Sequence, residues 1–227
     1  MADKKISALT ELTTPADGDK IPIVDVSDTT QAASGTTKFI QKSNLVTGSG
    51  GGVWSLLEAV ICDSQAYIEF NGDGVNYTNL TDTNFEEFRI VFDAIALSAN
   101  CRIDWFVIDN GSRVTSNYTV HSEFKNSGGT ESDTHYNNLG SQAYVSHASI
   151  LTGSPIWGEI IIPRWSASAK PIVMAEVMFN NNAADFARVK SIGTNDGSLT
   201  SIEGISLKCS VGNWGTSGSV KLYGRAA

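Results

Sequence analysis

Charged side chains are scarce in this sequence, at 18% of 227 residues, while apolar ones make up 41%. A chain that stays unfolded is charge-rich and poor in aromatics, so this balance excludes general disorder. An excess of basic residues is also missing. The net charge is −8, and past residue 52 the chain carries 11 basic and 18 acidic side chains. Phosphate backbones are held by clustered Lys and Arg, so nucleic acid is not expected as a direct ligand. No apolar run approaches the roughly 18 residues of a membrane span. The opening Met1-Ala2-Asp3-Lys4-Lys5 also lacks the apolar stretch of a secretory signal. The expectation is a soluble protein made in the cytosol, with no membrane partner.

Reactive chemistry is equally thin. Cys62, Cys101 and Cys209 are odd in number and widely spaced, without the short paired spacings of zinc sites or redox pairs. They read as buried thiols. Of the three histidines, His121 with Glu123 on one strand face and His135 nearby would suit zinc. Placement on the surface or in loops is the simpler account of these two and of His147. Asn71-Gly72-Asp73-Gly74-Val75-Asn76 begins like a calcium loop, but its fifth position is Val75 and its twelfth is Asp82, not glutamate. It reads as a turn between strands. There is no Gly-x-Ser-x-Gly elbow or Cys-His signature, and Gly48 to Gly52 lacks the lysine of a phosphate-binding loop. Glu86 and Glu87, adjacent on a strand, are expected to face opposite sides, which makes a poor acid/base couple. Neither a metal nor a cofactor is expected, and no enzymatic activity.

What the sequence does have is 21 glycines amid abundant Ser, Thr and Asn, which supply the dihedrals and local hydrogen bonds of tight turns. The class is all-β, with strand-like runs and turn clusters spaced as in a sandwich or barrel. Strands are expected at Leu57 to Cys62, Ala66 to Phe70, Phe85 to Leu97, Ile103 to Asp109, Asn117 to Phe124, Ile156 to Ile162, Pro171 to Phe179, Gly204 to Val211 and Ser219 to Tyr223. Ile205, Leu207, Cys209 and Val211 alternate with polar residues, as on a sheet with one solvated side. Ile160 to Ile162 and Val173 to Val177 show no such alternation, which suggests strands buried on both faces or packed against a neighbour.

Residues 1–47 differ from this body (residues 53–227). They carry Ile6, Leu9, Leu12, Ile21, Ile23, Val24, Val26, Ile40 and Leu45, but Phe39 is their only aromatic. A segment of about 45 residues rarely closes a core without a metal, disulfides or a partner. Pro22 lacks a donor, so the run from Ile21 to Val26 is an edge strand or no strand. Gly48-Ser49-Gly50-Gly51-Gly52 has the composition of a flexible linker, residues 48–52.

Three short motifs follow one another in the first segment: Lys5 to Leu12, then Pro15-Ala16-Asp17-Gly18-Asp19-Lys20-Ile21-Pro22-Ile23-Val24-Asp25, then Ser34-Gly35-Thr36-Thr37-Lys38-Phe39-Ile40, closed by Leu45. The series resembles the N-terminal segment of bacteriophage tail-fibre and virion appendage proteins, over about a fifth of the chain. Gly212 to Gly224, ending Ser219-Val220-Lys221-Leu222-Tyr223-Gly224, is similar to the closing hairpin of β-sandwich domains in phage fibres. The resemblance implies a virion location and a jelly-roll-like body behind a short extended docking segment. It also implies a homotrimer and partners among capsid, neck or tail proteins. Ile6, Leu9, Leu12, Ile21, Ile23, Val24, Phe39, Ile40 and Leu45 are then the partner-docking residues.

Two other classes remain open. Flat aromatic rings bury apolar sugar faces, so the body could recognise host surface polysaccharide. Large aromatics are commonly core, and Trp105, inside an apolar run, reads that way. Trp165 and Trp214, beside Arg164, Ser166, Asn213 and Gly215, are the candidates for exposure and sugar stacking. A capsule-degrading enzyme is the third class, with no acid/base pair or β-helix repeat to support it.

Overall fold

The computed structural model describes residues 20–25, 36–41, 53–139, 141–146, 148–166, 170–181 and 185–227. Among these there is no helix, and the sheets of the body pack against each other as in a β-sandwich. The chain divides into two compact units, Met1–Gly50 and Gly51–Ala227.

In the first unit β1 (Lys20–Asp25) pairs antiparallel with β2 (Thr36–Gln41). The register sets Ile21 against Ile40 and Pro22 against Phe39. In a two-stranded ribbon each strand has an open side, where the missing proline donor costs no ladder bond. Apolar residues fall at both alternating sets of positions along the ribbon. Five of the expected docking residues, Ile21, Ile23, Val24, Phe39 and Ile40, lie on it. Ile6, Leu9, Leu12 and Leu45 lie outside the described residues.

The second unit contains β3 (Trp54–Ile61), β4 (Tyr67–Phe70), β5 (Phe85–Ile95), β6 (Ile103–Asp109), β7 (Ser112–Arg113), β8 (Tyr118–Asn126), β9 (Glu131–Leu139), β10 (Ala143–Tyr144), β11 (Ile156–Pro163), β12 (Ile172–Asn180), β13 (Phe186–Asn195), β14 (Ile202–Cys209) and β15 (Ser219–Ala226). Eight of them form one antiparallel sheet in the order β3-β15-β5-β11-β12-β13-β8-β9. The smaller sheet runs β10-β6-β14-β4, with β7 on β6. Every expected strand is present within a few residues. The sequence pattern missed β9, β13 and the two-residue strands β7 and β10.

The core lies between the sheets. Phe88, Ile90 and Phe92 of β5 and Val173, Val177 and Phe179 of β12 share it with Ile103, Trp105 and Val107 of β6 and with Ile205, Leu207 and Cys209 of β14. Trp105 meets Tyr118 of β8 edge to face, with ring centroids 5.2 Å apart. Its ring also sits over Gly193 of β13, where a Cβ would come 3.0 Å from it. The other inward positions of β13 are Ala187, Val189 and Ser191, and Ser191 donates to the Val145 carbonyl at 3.1 Å.

Three expectations need correction. Val211 is 62% exposed because β14 ends at Cys209, so the alternation stops one step short of it. Val173 to Val177 do alternate in burial: β12 is covered on one face only, and Met174 on the other is 37% exposed. Glu86 and Glu87 do not part to opposite sides. The β5–β15 register shifts between Arg225 and Ala226, and Arg225 reaches both carboxylates, at 3.3 and 3.0 Å.

Strand β3 ends the large sheet, and an open edge invites pairing with another chain. The 71–79 loop leans over it: Asn76 Nδ2 donates to the Leu57 carbonyl at 3.0 Å, and the Tyr77 hydroxyl donates to Glu58 at 2.7 Å. The loop is set by Asp73, whose Oδ1 accepts from the backbone of Val75 and Asn76 at 2.9 and 2.8 Å. Those bonds lower its pKa to about 2. The carboxylate is thus committed to turn geometry.

Candidate functional site

The inner faces of both sheets are closed by the core, so chemistry open to a partner lies on their outer faces. On the smaller sheet, β6 is buried on both sides, with Asp104, Phe106 and Ile108 at outward positions yet almost wholly covered. Arg102 places Nε 3.0 Å from Asp104 Oδ1 and lies over the Tyr144 ring at 4.3 Å. Arg113 lies over Tyr67 at 3.5 Å and donates to Ser206 Oγ at 2.9 Å. These long cationic side chains cover the sheet with their stems and close it by self-pairing.

Burial raises the Asp104 carboxyl to about 6, against the opposing pull of Arg102 and Lys208. Its folded pKa exceeds the unfolded value, so between about pH 4 and 6 the folded state binds the extra proton. Stability therefore rises on acidification through that window, and the penalty for the charged form is complete above it. An Asp104→Asn variant is expected to gain on the order of 2 kcal/mol at pH 8 and to flatten the dependence between pH 4 and 6. Urea denaturation at pH 4, 6 and 8 measures both effects.

None of the three thiols is open to a substrate: a hydrogen bond from Cys209 lowers the Cys101 pKa, but its side chain lies in the core like the other two. Cys62, Cys101 and Cys209 are all buried and unpaired. Burial lifts Cys62 to about 11, and the neighbouring Cys101 sulfur together with burial holds Cys209 protonated. His121 Nε2 lies 2.5 Å from Asp133 Oδ1, and the register sets His121 opposite His135. Among the described residues no group of three or more His, Cys, Asp or Glu is placed to hold a metal ion; His147 lies outside them.

Trp165 and Trp214, the candidates for sugar stacking, are core residues, 3% and 0% exposed. Each ring folds inward from a loop whose polar neighbours face out. The Trp165 Nε1 donates to the Ile172 carbonyl at 3.1 Å. Trp214 stacks on Phe92 at 6.4 Å, leaving its Nε1 without a partner. Neither ring can reach a ligand.

The exposed tryptophan is Trp157, at 45%, on the outer face of the large sheet. Alternation on β11 puts Ile160 and Ile162 inside and Trp157, Glu159 and Ile161 outside. Pairing with β12 and β13 then arranges the outward side chains in rows. Ile161, Met174 and Ile192 form one row; Glu159, Glu176 and Lys190 form the next; Trp157, Met178 and Arg188 form the third. Glu176 lies 3.7 Å from Arg188 and 3.5 Å from Lys190, and Glu159 lies 3.3 Å from Arg89. Such half-exposed pairs contribute at most about 1 kcal/mol each. Beside the rows, a groove of about 380 Å³ runs between Glu123, Lys125, Glu131, Asp133, Arg188 and Lys190.

Sequence reasoning left the runs at 160–162 and 173–177 as either buried on both faces or packed against a neighbour, and it did not nominate Trp157. The signal was the absence of alternation at 160–162 and 173–177. In a strand with one covered side, that absence means an apolar outer face. The structure defines the protein as an all-β chain with two packed sheets, whose larger sheet bears a flat, mixed apolar and charged face. Compared with protein families, with curated proteins and with solved structures, the chain matches none.

Proposed function

We propose that this chain is a non-enzymatic structural subunit of a bacteriophage virion appendage, such as a fibre, spike or surface decoration. Residues 1–47 dock on a capsid, neck or tail component, and a jelly-roll-like body projects from the particle. The observation that carries this reading is the ordered motif series from Lys5 to Leu45, joined to a segment whose apolar residues are too few to close a core. The body supports the division of labour, since it forms a compact unit with its own buried cluster from Leu57 to Leu222. Three copies assemble, a number taken from the resemblance. Recognition of host glycan is the weaker reading, since both rings nominated for stacking lie in the core.

Deleting residues 1–47 tests the reading. The expected outcome is a folded body, with an unchanged cooperative melt, that no longer enters phage particles. A truncated body found in particles at normal occupancy would refute N-terminal docking.

A further inference from the structure

Cys101 and Cys209 stand far apart in the sequence, but the pairing of β6 with β14 brings them together. Its register ends with Cys209 opposite Ile103, and just beyond, the Ser210 amide donates to the Arg102 carbonyl at 3.0 Å. Cys101 is then the next residue on the inward side of Ile103, diagonal to Cys209. The two sulfurs meet: the Cys209 thiol donates a hydrogen bond to the Cys101 sulfur. Both thiols are free, and both are buried at the rim of the core, where Asn100 and Val211 next along the chain are exposed. Cys101 also lies at a junction. It bridges Ile150, which in turn bridges Asn181 just past β12. The Ile150 amide donates to the Cys101 carbonyl and the Leu151 amide to the Asn180 carbonyl, each at 2.8 Å. Backbone bonds thus tie the smaller sheet to the larger at this point.

We infer that Cys101 and Cys209 are a latent intramolecular disulfide, a site at which a peroxide oxidises the protein and fastens the end of β14 to the junction between the sheets. The Cys101 thiolate attacks one oxygen of hydrogen peroxide, the O–O bond breaks, and the sulfur becomes a sulfenic acid. The hydroxide that leaves takes up the thiol proton as water. The Cys209 sulfur then attacks the sulfenic sulfur. The S–S bond forms, the S–O bond breaks, and the departing hydroxide takes the Cys209 proton as a second water. The thiol pair is oxidised and the peroxide reduced, with no other reactant needed. The surroundings set the roles. The Cys209 thiol and the amides of Val211 and Ser210 donate to the Cys101 sulfur and hold its pKa below the usual thiol range, against burial and the Asp104 charge. The hydrogen bond to Cys101 and burial keep Cys209 protonated. Cys101 is therefore the attacking thiolate and Cys209 the resolving thiol. Burial alone governs Cys62 and raises it, which leaves it unreactive. Hydrogen peroxide is small and uncharged, so a local opening at the rim of the core admits it.

The test treats folded, full-length wild-type protein with hydrogen peroxide, blocks the remaining thiols and digests with trypsin. The expected product is a reductant-sensitive link between peptides 90–102 and 209–221, which hold Cys101 and Cys209, while peptide 43–89, which holds Cys62, stays unlinked. A link that closes so long a loop is expected to raise the thermal midpoint by roughly 5 °C or more, and a dithiol reductant is expected to reverse the rise. Cys62→Ala is expected to keep both the link and the reversible shift, and Cys101→Ala to lose both. Four results would each overturn the pairing: a sulfinic or sulfonic acid at Cys101 without the link, a link carried by Cys62, a link between two chains, and a folded chain left unchanged by peroxide that reacts only once unfolded in urea. A link formed with no rise in the midpoint would overturn the fastening of the sheets.

Discussion

Trp105→Ala is expected to destabilise the body by about 3–5 kcal/mol, the range for removing a large aromatic from a packed core. In a body of this size that lowers the melting midpoint by roughly 6–20 °C. The ring is 1% exposed, bridges the two sheets, meets Tyr118 edge to face and covers Gly193. Small inward residues on β13 give the surroundings little to collapse with, so the cavity stays open and its cost stays high. Trp157→Ala on the outer face, by contrast, is expected to cost about 1 kcal/mol or less. Calorimetry on the two variants measures the difference. Equal midpoints would contradict the assignment of these rings to core and surface.

Gly158→Ala is the second large effect. Gly158 has φ +146°, in a region L side chains rarely adopt, at the irregularity where β11 changes register with β5. A Cβ there would stand 2.2 Å from the Glu176 carbonyl oxygen and 2.7 Å from the Val177 Cα. The obstacle is backbone of the paired strand β12, which cannot swing aside as a side chain does. Strain and overpacking together are expected to cost about 3 kcal/mol or more, read as a lower urea midpoint. Gly153, at φ +69° with nothing near its Cβ position, supplies the comparison. Gly153→Ala is expected to cost only about 1–2 kcal/mol, the backbone term alone.

Strand positions were legible wherever inward side chains are large. Ile103 to Asp109 and Phe85 to Ile95 announce themselves because Trp105, Phe88 and Phe92 fill the space between the sheets. β13 is silent for the complementary reason: its inward Ala187, Ser191 and Gly193 are small, and at Gly193 the Trp105 ring from the opposite sheet occupies the space a side chain would fill. A sequence window cannot show that the volume missing from one strand is supplied by another some 90 residues away. β9, Glu131–Leu139, is a polar edge strand held by pairing with β8, and polar residues at an edge look like loop.

The candidate site divided in the same manner. Local chemistry set the 71–79 turn, because Asp73 can satisfy the backbone just after it without help from elsewhere. The fates of the tryptophans were not local. Trp165 and Trp214 have polar neighbours in sequence but lie under the sheets, whereas Trp157 precedes an isoleucine run and faces outward.

The sequence by itself determined an all-β chain and a glycine-rich stretch near residue 50, and it raised the expectation that the first segment lacks the apolar bulk for a core of its own. These follow from composition and short-range spacing, which act through turn dihedrals and total buried area. Only the tertiary structure decided which apolar residues are left exposed. Period-two geometry says that neighbours along a strand face opposite ways, but which side receives the second sheet is settled by long-range pairing. That choice places Val173 and Val177 in the core and puts Met174, Met178 and Ile192 on one outer face. It also sets Glu176 beside Lys190 on that face.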